Sequence, residues 1–184
     1  MMLVFMLEEL SMKELLTGLL PRILPPGVAF KLIPHLGKSD LEKSIPSKLR
    51  AWKTPNTRFV IIRDQDSGDC IAIKQRLVAL CRGTGHTEVH VVIACRELEA
   101  WFIGNLKAVA EIYAKPALAD LQHKAKYREP DHLGSPSREL ALLVPEYGKV
   151  DGARRMGPHI PLEGSRSPSF NHFIRKVKAL VEAP

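Results

Sequence analysis

The chain has 184 residues, is 45% hydrophobic and carries a formal net charge of +7 with pI ≈ 9.5. That is enough apolar material for one full core, and the basic balance fits a polyanionic partner such as nucleic acid. The three cysteines, with no CxxC spacing, exclude a disulfide framework or a zinc site and fit reduced cytoplasmic thiols.

Met2 to Leu7 is a continuous apolar run, the pattern of a strand buried on both faces. The run is too short to span a bilayer, and no basic leader or cleavage site accompanies it, so neither a membrane span nor a signal peptide is expected. Ser11 and Glu14 have capping-box spacing and predict a helix bearing Leu15, Leu16, Leu19 and Leu20. Val28 to Ile33 is a second strand, followed by the loop Pro34 to Lys38. Ser39 and Glu42 repeat the capping-box spacing, with Pro46 a break or restart in the helix that follows.

Arg58 to Ile62 is the third strand. It runs into Arg63-Asp64-Gln65-Asp66-Ser67-Gly68-Asp69, an acidic turn in which like charges repel unless paired or bound to a cation. A helix from Asp69 ends near Gly83, Glu88 to Ala94 is the fourth strand, and Arg96 to Ile103 leads into another helix. Alternating strands and helices predict a parallel α/β sheet, in which functional residues gather at the carboxyl ends of the strands. Acidic residues stand at three of those four ends: Glu8-Glu9, Asp64 to Asp69, and Glu97-Glu99.

Beyond residue 104, Leu106 to Tyr113 and Pro116 to Lys126 read as helical and Tyr127 to Ser137 as an exposed loop. Glu139 to Val144 is a short helix, Gly148 to Arg166 is irregular, and Ser169 caps a last amphipathic helix.

Asp64 and Asp66 form a DxD pair, about 6.6 Å apart on an extended backbone and on the same side of it, a spacing that can share one Mg²⁺ or flank two. The competing reading is a polar turn that caps the next helix, with Asp69 favouring its dipole. Glu8 joins from the first strand end. Glu97 is placed slightly ahead of Glu99, being nearer the strand. Lys38, Lys74, Arg154 and Arg155 are candidate contacts for a nucleic-acid backbone, and Lys38 could also neutralise a leaving oxygen.

An acidic residue after the first strand, then Ser and a helix, then DxD after the third strand, resembles the Toprim fold of topoisomerases, primases and OLD-family nucleases. Leu7-Glu8-Glu9-Leu10-Ser11 matches its first motif except that Glu9 stands where Gly is usual, and Asp64-Gln65-Asp66 matches the second. More specifically, the chain resembles a Toprim-like domain of unknown function, family 4276, through Leu7 to Pro21, His35 to Leu41, Arg63 to Lys74, Arg96 to Phe102 and Ser167 to Phe173.

The resemblance implies a three-layer Rossmann-type core over residues 1–104 with about four mainly parallel strands, and a mostly helical extension over residues 105–184 packed on it. It also implies Mg²⁺- or Mn²⁺-dependent cleavage or nicking of nucleic acid, DNA before RNA. Glu8, Asp64 and Asp66 are the implied metal ligands; independently of the resemblance, the strand-end placement adds Glu97 as a further candidate ligand and Lys38 as a group that could assist catalysis. A separate ATPase chain is the implied partner in defence or DNA maintenance. Two other readings stand beside this one: a non-catalytic module binding an ATPase or a nucleotide, which Glu9 favours, and a phosphoacceptor domain using Asp64.

Overall fold

A computed structural model describes residues 1–182. Four parallel strands, β1 (Met2–Leu7), β2 (Ala29–Pro34), β3 (Thr57–Asp64) and β4 (Val89–Ala94), form one sheet in the order β2-β1-β3-β4. Leu7 lies opposite Pro34 and Ile62, and Asp64 opposite Ala94, so all four carboxyl ends finish at one edge.

Alternation along the strands divides the core in two. Val4, Met6, Phe59, Ile61, Val91 and Ile93 pack under α2 (Lys38–Ala51) and α3 (Cys70–Cys81). Leu3, Phe5, Leu7, Val60, Ile62, Val92 and Ala94 face the other way, toward α1 (Leu10–Leu19) and the helices beyond β4. These are α4 (Glu99–Ile103), α5 (Leu106–Ile112), α6 (Ala117–Leu121), α7 (Pro136–Leu143), α8 (Lys149–Met156) and α9 (Pro168–Glu182). The second cluster runs without a break from Leu3 to Leu180, so the chain beyond residue 104 completes the core. Among the described residues, no helix is long and apolar enough to cross a membrane.

Several local expectations change. Helix α1 begins at Leu10 with Glu9 at its cap, and the Ser11 hydroxyl donates to Glu9 Oε1 at 2.5 Å, so no capping box forms. Glu14 instead accepts from Arg154 on α8 at 2.8 Å. Helix α2 begins after Gly37, whose φ of 98° suits glycine, and Glu42 pairs with Arg63 and Arg76 rather than with its own helix start. It continues through Pro46, because Leu41, Ile45 and Leu49 on one face are fully buried against the sheet. The stretch read as irregular after Gly148 holds α8, and the loop expected over Tyr127 to Ser137 holds the end of one 3₁₀ turn, the whole of a second at Pro130–His132, and the start of α7. Asp69 does cap α3, accepting from Ala72 N at 2.7 Å. The cap of α9 falls on Ser167, whose hydroxyl accepts from Phe170 N.

Helices α1 and α8 touch through glycines. A Cβ on Gly18 would lie 2.6 Å from Pro158 Cδ, and one on Gly157 would lie 2.5 Å from the Leu15 carbonyl oxygen. The contact lies at the C-terminal ends of the two helices, while the start of α8 meets the start of α1 through Lys149 and Glu9.

Candidate functional site

Backbone hydrogen bonds carry the sheet pairing past the strand ends and fix the loops that follow. Glu8 N donates to Ile62 O, Gly37 N to Glu8 O, Gln65 N to Ala94 O and Asp66 N to Arg96 O. Asp66 and Arg96, joined by that last bond, both adopt left-handed backbone, at φ of 55° and 61°. Each costs on the order of 1 kcal/mol, which the surrounding pairing must offset.

Asp64 ends β3 with its side chain inside the protein. It is 4% exposed, and its Oδ1 has no hydrogen-bond partner. Burial pushes its carboxyl well above the usual range, and the charges of Glu99, Glu8 and Glu9 add to the effect. Glu99, on the first turn of α4, is 0% exposed. Its Oε1 accepts from the Tyr147 hydroxyl at 2.9 Å, while its Oε2 has no partner. Burial raises the Glu99 pKa too, and Lys149 and the Tyr147 hydrogen bond pull it back.

Glu8 closes one side. Its Oε2 accepts from Asp64 N at 3.0 Å and lies 3.8 Å from Arg63 Nε. Arg63 is itself buried and reaches Glu42 at 2.5 Å. Burial raises the Glu8 pKa against the lowering effect of the Asp64 N–H. Lys149, at the start of α8, donates to Glu9 Oε1 at 2.9 Å. Burial would lower the Lys149 pKa, but the charges of Glu99, Glu9 and Asp64 outweigh it and hold the ammonium above its ordinary range.

The residues expected at the site therefore separate. Glu8 and Asp64 meet, with Glu99 acting on Asp64. Asp66 turns outward to an exposed pair with Lys38 at 3.0 Å, of the kind worth about 0–1 kcal/mol. Glu97 accepts from Ser137 N at 2.6 Å and so caps α7. Arg154 pairs with Glu14, Arg155 pairs with Asp151 and lies over the Tyr113 ring, and Lys74 lines a separate cavity. Tyr147 and Lys149 join the site without any motif in the sequence to mark them. The α8 face that carries Lys149 in is built from Gly152, Ala153 and Met156, small residues that give little apolar periodicity to read.

Among the described residues, no group of three or more His, Cys, Asp or Glu side chains is arranged to hold a metal ion. Two buried carboxylates each with an orphan oxygen are still a suitable donor set. Mg²⁺ is often held by one or two carboxylates and keeps several waters.

His35, beside the site at the end of β2, is structural. Its Nδ1–H donates to Leu7 O at 2.8 Å, leaving Nε2 to accept from Lys48 Nζ at 2.9 Å. Burial lowers its pKa, and the Lys48 charge adds to that. The sign follows from linkage: the unfolded chain binds the proton more readily. The neutral imidazole thus stabilises the fold fully above pH about 6.5, and that contribution is lost as pH falls below it. Urea titrations at pH 7.5 and 5.5 should show the wild type losing more stability than His35→Gln; equal losses would refute this account.

The family described as Domain of unknown function (DUF4276) matches residues 7–178. No curated protein and no solved structure matches the chain. With the match covering all four strand ends and the helices packed behind them, the chain belongs to the DUF4276 family.

Proposed function

We propose that this protein is a divalent-cation-dependent phosphodiesterase that cleaves or nicks nucleic acid, with DNA as the first substrate to test. The observation that carries the reading is the buried pair Asp64 and Glu99, each with one unsatisfied carboxylate oxygen, at the carboxyl edge of a parallel sheet. An unpaired buried carboxylate is costly, and a cation is the partner that would relieve both at once. The Toprim resemblance of the Glu8 and Asp64 motifs supports the same chemistry.

Asp64 and Glu99 would hold the ion, Mg²⁺ or Mn²⁺, with Glu8 fixing the Asp64 backbone and adding negative charge. A bound ion supplies charge stabilisation at the phosphate and lowers the pKa of a coordinated water. Lys38, released from Asp66, and Lys149 at the mouth would each donate to phosphate oxygens. The expected result is Mg²⁺- or Mn²⁺-dependent cleavage of DNA that Asp64→Ala abolishes, followed on denaturing gels. Cleavage by the variant at the wild-type rate would reject the assignment.

One observation favours a second reading. Lys149 already acts as a cation toward Glu99, Glu9 and Asp64. If that ammonium replaces the metal, the protein is a non-catalytic module for a separate ATPase or a nucleotide. Calorimetric titration with Mg²⁺ and Mn²⁺ separates the two: heat at sub-millimolar metal supports the enzyme, and none at several millimolar supports the module.

A further inference from the structure

A cavity of about 470 Å³ opens beside the DxD turn, along the free edge of β4 between α3 and α9. Its apolar floor includes Val91 and Ile93, and its walls include Lys74, Arg96, His132 and His172. Arg96 links it to the candidate site, since its guanidinium donates to the Asp66 carbonyl and its backbone N–H to Gln65.

Among the described residues His132 is paired with Glu129 at 3.1 Å, but the lysine and arginine side chains here have no carboxylate partner. The charges of Lys74, Arg175 and Lys176 all bear on His172, and none of the three lies within ion-pair distance of a carboxylate among the described residues. The one acid lining the cavity, Asp131, is already engaged by Ser167 Oγ at 2.6 Å and Ser169 N at 2.7 Å. Some basic side chains elsewhere do find acids, as Lys115 finds Glu146 and Lys126 finds Glu139, so the cluster is set apart by its place beside an apolar cavity and not by lack of pairing alone. An uncompensated basic cluster above an apolar floor fits a ligand that is anionic along one side and flat and apolar on the other.

We propose that this cavity binds a single-stranded nucleic acid, taking one unpaired base against Val91 and Ile93 and the flanking phosphates on Lys74, Arg175 and Lys176. The cavity suits one nucleotide, and its position at a strand edge between two helices favours an unpaired base over a stacked one. The use made of the bound strand rests on the phosphodiesterase reading; the binding itself does not.

The test is fluorescence anisotropy with a labelled oligo-dT of twelve nucleotides, in EDTA so that no metal-dependent step intervenes. Binding should weaken steeply with salt, and a duplex of equal length should bind at least tenfold more weakly. The triple variant Lys74→Glu, Arg175→Glu, Lys176→Glu should lose at least tenfold in affinity. A triple reversal at Lys53, Lys107 and Lys124, which makes the same change in net charge elsewhere, should change it less than threefold. Circular dichroism melts confirm that each variant is folded. If the first triple fails to fold, Lys74→Glu alone should still lose severalfold. Equal loss in the two triples, equal duplex binding, or wild-type affinity in the cavity variants would overturn the proposal. Retained binding without cleavage in Mg²⁺ or Mn²⁺ would instead count against the phosphodiesterase alone.

Discussion

Asp64→Asn should abolish divalent-cation binding and at the same time raise the melting temperature of the metal-free protein at pH 8. The two effects have one cause. Asp64 is buried with an unsatisfied oxygen and is acted on by the like charges of Glu99, Glu8 and Glu9. Keeping it ionised without a cation costs folding energy, and a neutral side chain of the same shape removes that cost. The gain should be on the order of 1 kcal/mol, limited by the new amide's own need for partners. Its sign follows from linkage: a carboxyl whose folded pKa is raised loses stability as pH rises through that pKa, so the advantage should shrink at pH 5. Glu99→Gln should behave in the same way, though less strongly, because Tyr147 and Lys149 already offset part of its charge. Thermal melts at both pH values, with EDTA and with Mn²⁺, read all of this. A wild type that gains nothing from Mn²⁺, beside an Asp64→Asn variant that is less stable, would show that the acidic pair is not a cation site.

Trp101→Ala should be the most damaging single truncation in the C-terminal half of the core. Trp101 is 1% exposed, its ring stacks on Phe173 at 5.2 Å and meets Phe170 at 5.4 Å, and its indole N–H donates to Ser169 Oγ at 2.9 Å. Truncating a buried Trp leaves a large cavity and costs about 3–5 kcal/mol. At this chain length that corresponds to a fall in Tm of roughly 10–15 °C. Trp101→Phe should keep much of the ring packing and lose the hydrogen bond, for a cost of about 1–2 kcal/mol. Urea unfolding of both variants checks the ordering. If Trp101→Ala costs under 1 kcal/mol, α9 is not anchored through this residue.

The sheet was legible because buried parallel strands are written as short apolar runs, and the carboxyl ends then followed from the topology alone. Asp64 and Glu8 were legible for that reason. Glu99 was harder to choose, since Glu97 and Glu99 differ only in where the helix begins, and the structure starts α4 at Glu99 and sends Glu97 to cap α7. The two capping-box patterns misled because Glu14 and Glu42 serve distant arginines, which local spacing cannot reveal. Lys149 and Tyr147 were out of reach for a related reason: their partners Glu9 and Glu99 are distant in the chain, and local spacing cannot reveal that α8 packs beside α1 at Gly18 and Gly157.

That glycine contact bears on the order in which the site is assembled during synthesis. The strands and all the acidic ends leave the ribosome first, and Lys149 follows Glu99 by about fifty residues, some seconds of translation at ~5–20 residues per second. Until α8 is made and docks against α1, Glu9, Glu99 and Asp64 lack the Lys149 ammonium, although Lys38 for Asp66 and Arg63 for Glu8 are already in the chain. The charge balance of the acidic edge is therefore completed only when the C-terminal half of the chain has been made.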